Sequence, residues 1–348
     1  MNTRINKIFI ALFLLICMVP SFGMLLAGPS PLLANEVSAR PPSFLDADGH
    51  FNRAVLTEAS DFFGTRFALR PYLVSVRSFL YEKLLQTSAE DQVLTGRDGQ
   101  LYYAETADDY CGISLSGEDL SSLIEKLSAI QEAVEAHGST FLFTVAPNKS
   151  TIVPFGMPSR FPAHSENSNL SLLIPLMEEA GIHYVDLASP LSDDPAYYYK
   201  TDSHWTAEGA AVAADTLLSV LGRDRHYAEG PFSTGDARIG DLYEMLYPIG
   251  KGREQEVVYL PELCFETAAD PRGGNALRIN TVSENGSGSL YCRRDSFGIA
   301  LYPYLADAFE KAEFSRSADY SLEAFAGLDY YDVVILEIVE RNLPDLLD

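Results

Sequence analysis

Thr140-Phe-Leu-Phe-Thr-Val-Ala-Pro-Asn-Lys149 is a short apolar run that ends in Pro, Asn and Lys. The β-branched and aromatic residues of Thr140–Val145 predict a buried strand. Downstream, Asn169 to Ala180 has helical character and Gly181 stops it. A second strand follows at His183 to Leu187. Strand, helix, strand with a short Gly-marked turn is a βαβ unit. Upstream, Ser116 can cap a long helix with Asp119 at the third position. Leu120, Leu123, Ile124, Leu127, Ile130 and Val134 are its buried stripe, and Gly138 ends it. Val93 to Tyr103 reads as two short strands around Asp98-Gly99, a hairpin signal. Near the end, Val333 to Val339 is apolar except for Glu337, as in a central parallel strand.

Continuing outward, Tyr197-Tyr-Tyr-Lys-Thr-Asp-Ser-His-Trp-Thr-Ala-Glu-Gly209 enters another helix. Thr206 can cap it, and Ala210, Ala211, Ala214, Leu217, Leu218 and Leu221 recur at three- and four-residue spacing. Asp202 and His204 therefore sit on a loop at a helix start. A carboxylate beside an imidazole can hold one tautomer and make a general base. Such a base calls for a nucleophile, and a serine at a strand-to-helix junction is the expected one. Ser296, in Ser289-Leu-Tyr-Cys-Arg-Arg-Asp-Ser-Phe-Gly298, stands after a strand and before a helix near Ile299 to Lys311. That turn exposes a hydroxyl at the carboxyl end of an open sheet, where backbone N–H groups can hold an oxyanion. Taken singly, Asp202 also reads as a helix-entry residue, His204 as a packed histidine and Ser296 as an N-cap.

The chain has 348 residues, 47% hydrophobic, with a formal net charge of −24. Such acidity speaks against binding nucleic acid through a basic face. Arg4 and Lys7 precede an apolar run from Ile8 to Ala27, long enough to span a bilayer once. It reads as an uncleaved anchor or as a signal peptide cut near Leu33-Ala34-Asn35; either exports the rest. The expected organisation is a membrane segment at 1–28, a linker at 29–59 and a catalytic domain at 60–348 with an irregular excursion around 223–275. Cys111, Cys264 and Cys292 follow Cys17 of the apolar run, leaving one disulfide plus a free thiol or three unpaired cysteines. No CxxC or Cys/His cluster has metal-ligand spacing, so no metal or cofactor is expected.

Three segments together resemble the DHHW proteins and the alginate O-acetylation proteins of the AlgJ and AlgX type: Tyr199-Lys-Thr-Asp-Ser-His-Trp-Thr-Ala-Glu-Gly-Ala210, Arg294-Asp-Ser-Phe-Gly298 and Thr144-Val-Ala-Pro-Asn-Lys149. Weaker echoes are Thr95 to Tyr102, Gly240-Asp-Leu242 and Asp332 to Arg341. Ser203 departs from the more usual His or Thr. The resemblance implies an α/β, SGNH-hydrolase-like three-layer fold with a mostly parallel sheet. It implies Ser296 as nucleophile, His204 as base and Asp202 as orienter. It further implies an exported, membrane-anchored O-acetyltransferase or acetylesterase acting on a polysaccharide. The partners would be a polysaccharide acceptor and an acetyl donor, with a membrane acetyl-carrier protein as one source. Lys149 at a strand end is a candidate contact to substrate or oxyanion, or a surface lysine. Tyr198, Tyr199 and Trp205 are candidates to stack on a sugar ring, or are core. Glu337 and Arg341 are read as an ion pair supporting the site. The alternative in another class is a catalytically silent glycan-binding or assembly protein.

Overall fold

A computed structural model describes residues 3–33, 39–267, 270 and 272–347, the side chains of Thr3 and Arg4 excepted. Ala34 and Asn35 of the suggested cleavage site, with part of the 29–59 linker, lie outside the described residues. The chain divides into two units, Met1–Val93 with Asp241–Lys251, and Leu94–Gly240 with Gly252–Asp348.

The first unit contains α1 (Thr3–Ala27), α2 (Val55–Arg66) and α3 (Arg70–Leu80). Residues Ile5–Ala27 of α1 are long and apolar enough to cross a membrane and fit a signal anchor or a signal peptide. The helical stretch between Phe62 and Leu84 is broken. Leu69 takes a left-handed φ of 65° and Pro71 starts a new helix. Proline lacks the N–H that a continuing helix needs but suits a first turn.

The second unit runs from the short strands β1 (Val93–Thr95) and β2 (Leu101–Tyr103) through α4 (Gly117–Glu135), β3 (Thr140–Ala146), α5 (Asn169–Ala180) and β4 (Tyr184–Val185). Then come α6 (Ala207–Val220), β5 (Phe232–Arg238), β6 (Glu254–Tyr259), β7 (Glu266–Thr267) and β8 (Arg278–Val282). Last are β9 (Ser289–Arg293), α7 (Gly298–Ala308), β10 (Lys311–Ser315) and β11 (Val333–Val339). Ser116 caps α4 in a capping box with Asp119, as its sequence predicts.

Seven strands form one sheet in the order β4-β3-β11-β9-β10-β8-β7. β4, β3, β11, β9 and β10 run parallel, while β8 and β7 add antiparallel strands at one edge. Strands β8 and β9, consecutive in the chain, do not pair; β10 lies between them. Period-two alternation sorts the central strands onto two faces. Phe141, Phe143 and Val145 of β3 with Val334, Leu336 and Ile338 of β11 pack against Leu123, Leu127 and Leu173 of α4 and α5. Leu142, Ala146, Ile335 and Val339 face Ala210, Ala214 and Leu217 of α6 and Leu301 and Leu305 of α7. The result is an α/β, three-layer arrangement whose parallel strands all end on one rim.

Glu340, immediately after β11, is fully buried. Its Oε2 accepts hydrogen bonds from the Asn148 N–H (2.8 Å) and from Thr151 Oγ1 (2.7 Å). Burial first, and then the Asp109 charge, push its carboxyl up to about 7. The folded state therefore keeps a proton that the unfolded chain releases near 4.5. Glu340's contribution to stability is full below that value and declines as pH rises through about 7. Denaturant melts between pH 4 and 8 should show this decline in the wild type and a flatter profile in Glu340→Gln. Equal slopes would refute the assignment.

Candidate active site

Asp202 and His204 are brought together by the loop itself. Tyr198 and Trp205 pair as an isolated antiparallel bridge, and the Tyr199 N–H reaches the His204 carbonyl at 3.3 Å. The chain thus turns back tightly, so residues two apart face one another. Asp202 Oδ1 accepts from the His204 backbone N–H at 2.9 Å and stands 2.8 Å from His204 Nδ1. Thr206 then caps α6 by accepting from the Gly209 N–H at 3.2 Å.

His204 Nε2 lies 3.0 Å from Ser296 Oγ, across 92 residues of sequence. Burial alone would raise the Asp202 carboxyl. The hydrogen bond and charge of His204 and the charge of Arg238 instead hold it well below the usual carboxylate range. An ionised carboxylate only accepts, so Nδ1 carries a proton and Nε2 is the ring nitrogen that faces the serine hydroxyl. The Asp202 side chain is 3% exposed and the His204 ring 27%, so the chain of three opens to solvent at its histidine end.

Ser296 sits on a turn pinned from both sides. Asp295 Oδ1 accepts from the Phe297 N–H and Oδ2 from the Val339 N–H of β11, both at 2.8 Å. The Asp295 N–H donates to Glu337 Oε2 at 3.1 Å. Burial first, then the Asp295 charge, drives the Glu337 carboxyl well above its usual range. The buried Arg294 guanidinium donates to the carbonyls of Gly274 (2.8 Å), Ala276 (3.0 Å) and Asp295 (3.1 Å). A Cβ on Gly298 would stand 2.6 Å from the Arg294 side chain, so glycine is required there.

Phe297 locks the two loops together. Its ring lies 4.8 Å from the His204 ring and 5.0 Å from Trp205, edge-on at 81°. Trp205 Nε1–H donates to the Phe297 carbonyl at 3.1 Å. An aromatic pair of this kind contributes about 0.5–1.5 kcal/mol beyond its buried area.

Three expected substrate contacts are placed otherwise. Lys149 is only 4% exposed, and its ammonium donates to the carbonyls of Leu101 (2.7 Å), Lys200 (2.7 Å) and Asp202 (3.2 Å). It braces the Asp202 loop from beneath. Trp205 is 1% exposed and core, tied to Phe297. Tyr199 is buried, with its hydroxyl donating to Glu256 Oε1 at 3.1 Å. Arg341 makes no ion pair with Glu337 among the described contacts; its guanidinium stacks over Tyr103 (5.3 Å) and Phe297 (5.6 Å). The four cysteines are unpaired.

The excursion contributes what the sequence reading missed. Arg238, the last residue of β5, donates from Nη2 to Asp202 Oδ2 at 2.8 Å. No local pattern marks it, because the contact is made across 36 residues. Gly240 lets this chain pass: a Cβ there would stand 2.2 Å from the Thr201 carbonyl oxygen. Gly240→Ala should destabilise the fold by about 1–3 kcal/mol through overpacking. Gly117→Ala, where a Cβ meets open space, is the control in thermal melts. Equal melting of the two variants would contradict the close approach.

Comparison with known proteins agrees with this architecture. Residues 93–255 match the family described as ALGX, SGNH hydrolase-like domain, acetyltransferase AlgX. That stretch holds Asp202 and His204 and ends before Ser296. The probable alginate O-acetylase AlgJ of Pseudomonas syringae pv. tomato is 28% identical over 132 residues, 37% of this chain and 33% of the relative. AlgJ of Pseudomonas aeruginosa is 26% identical over 152 residues, 43% and 38% of the two chains. These matches span about a third of the relatives' length. A DHHW family protein from Eubacterium siraeum has a TM-score of 0.54 at 15% identity, covering 74% of this chain and 93% of that one. Bacillus cereus PatB1 has a TM-score of 0.55 at 15% identity, covering 72% and 96%. At such identities the structural likeness is one of fold. Over residues 93–255 the chain is similar to an SGNH hydrolase-like domain. Parts of it are similar in sequence to the probable alginate O-acetylases AlgJ.

Proposed function

We propose that the protein is a serine acyl-transfer enzyme that moves acetyl groups, with Ser296 as nucleophile, His204 as general base and Asp202 as its orienting acid. The observation that carries this reading is the continuous line from Asp202 Oδ1 through His204 to Ser296 Oγ, at 2.8 and 3.0 Å. Serine is a weak nucleophile without a base in hydrogen-bond reach, and here one is in reach.

In the reaction, Ser296 Oγ attacks the acetyl carbonyl carbon as its proton passes to His204 Nε2. The carbonyl electrons move onto oxygen, where the backbone N–H groups of Ser296 and Gly298 are the candidate donors, those of Phe297, Ile299 and Ala300 being engaged within the turn. Collapse expels the donor's alkoxide, which takes the proton from His204 and leaves acetyl-Ser296. An acceptor hydroxyl then gives its proton to His204 and attacks the acetyl carbon, and collapse breaks the bond to Ser296 Oγ, which takes that proton back from His204. A glycan hydroxyl as acceptor makes the enzyme an O-acetyltransferase; water makes it an esterase.

The substrate class comes by relationship. The curated relatives are named alginate O-acetylases, which supports a surface or secreted polysaccharide as acceptor. The N-terminal apolar helix supports an extracytoplasmic, membrane-anchored site, or secretion after cleavage. The full chain, incubated with p-nitrophenyl acetate and an oligosaccharide series, should release nitrophenol and yield acetylated sugar. Release without sugar acetylation would restrict the activity to hydrolysis. No release, with no covalent capture of Ser296 by a fluorophosphonate, would overturn the enzyme reading in favour of a silent glycan-binding or assembly role.

A further inference from the structure

We propose that Arg238 is a positioning residue for the reaction, delivered by the β5–β6 hairpin to hold the Asp202 carboxylate ionised and turned toward the His204 ring; this rests on the acyl-transfer reading above. Asp202 uses its two oxygens differently. Oδ1 takes the His204 contacts, and Oδ2 takes Arg238 Nη2 at 2.8 Å. The Arg238 guanidinium is itself fixed on two further sides. Nε lies 3.1 Å from Glu256 Oε2, and the plane sits 3.9 Å over the Tyr199 ring. Tyr199 is locked in turn by Glu256 and by the Val257 N–H, which donates to its hydroxyl at 3.1 Å.

The hairpin is built to reach this loop. Glu254 of β6 accepts from the backbone N–H groups of Lys200 and Thr201 and from the Thr201 hydroxyl. A Cβ on Gly252 would stand 2.3 Å from the Arg238 carbonyl oxygen, so the strand backbones close up beside the arginine. The excursion is thus a clamp on residues 199–202, and Arg238 is its charged tip.

The chemistry favours arginine. A carboxylate 3% exposed is a buried charge that needs a cation. Lys149 donates to the Asp202 backbone carbonyl at 3.2 Å, and Arg238 reaches the carboxylate itself. A guanidinium keeps its charge at any working pH, and its rigid fork fixes direction as well as charge. With Oδ2 held, Oδ1 stays in line with Nδ1, and the tautomer that leaves Nε2 free for Ser296 is preserved. When the proton arrives on His204, the fixed carboxylate stabilises the imidazolium.

The test compares the full-length wild type with Arg238→Met and Arg238→Lys on p-nitrophenyl acetate. Loss of positioning should lower kcat about ten- to a hundredfold with KM within about twofold, a smaller loss than deleting the carboxylate itself. Arg238→Lys should keep more activity than Arg238→Met, because the charge remains and only the fork is lost. Arg238→Ala should regain turnover with millimolar guanidinium, which cannot rescue Asp202→Asn. Wild-type kcat in Arg238→Met overturns the inference. So does a loss in all three variants that follows falling thermal stability and is not relieved by lysine or guanidinium. A wild type that neither turns over acetyl esters nor takes a fluorophosphonate overturns the acyl-transfer reading instead.

Discussion

Ser296→Ala should lose ester turnover almost entirely, by about 10⁴–10⁶-fold in kcat, with the protein still folded. The magnitude follows from the role: without the hydroxyl no acyl-enzyme forms, and what survives is binding and oxyanion stabilisation acting on water. The fold should be indifferent. Ser296 is half-buried, its Oγ meets His204 Nε2, and the turn is held by Asp295, Glu337 and Arg294 instead. A surface hydroxyl removed from such a site changes stability by about 0.5 kcal/mol or less. A fluorophosphonate probe should therefore label the wild type at Ser296 and leave the folded variant blank. Turnover by the variant within tenfold of wild type would end the case for Ser296 as nucleophile.

The second large effect belongs to Asp202→Asn, an isosteric change that removes one charge. An amide placed at Oδ1 can present N–H to Nδ1 and draw the imidazole into the opposite tautomer, with Nε2–H facing Ser296. That ring cannot take the serine proton, and the expected loss in kcat is about 10⁴-fold. The serine remains in place, so slow fluorophosphonate labelling should persist, in contrast to Ser296→Ala. The pair of variants thus separates a missing nucleophile from a misdirected base. Labelling of Asp202→Asn at the wild-type rate would remove Asp202 from the relay.

Much of this site is legible in one dimension because it is built from short-range structure. Asp202 and His204 meet across a two-residue turn, and Thr206 caps the helix that follows. The strand-to-helix junction at Ser296 is equally local. The lone Glu337 in an otherwise apolar strand is also visible as an anomaly, yet its use is not. The ion pair expected with Arg341 fails because Glu337 points at the Asp295 N–H while Arg341 lies over aromatic rings. Lys149, Tyr199 and Trp205 look like ligand contacts in a sequence, since a cation and aromatics beside an Asp-x-His loop suit a sugar. Burial turns each of them into support for that loop.

The alternation of strands and helices, the Asp-x-His turn and a serine at a strand-to-helix junction can be read from residues a few positions apart, because periodicity, caps and tight turns act over that range. That β11 lies between β3 and β9, that Ser296 reaches His204 across 92 residues and that Arg238 closes on Asp202 emerge from long-range packing alone. Those pairings depend on strand order and on the bulk absent at Gly240 and Gly252, and contacts between distant segments leave no repeat in the chain that forms them.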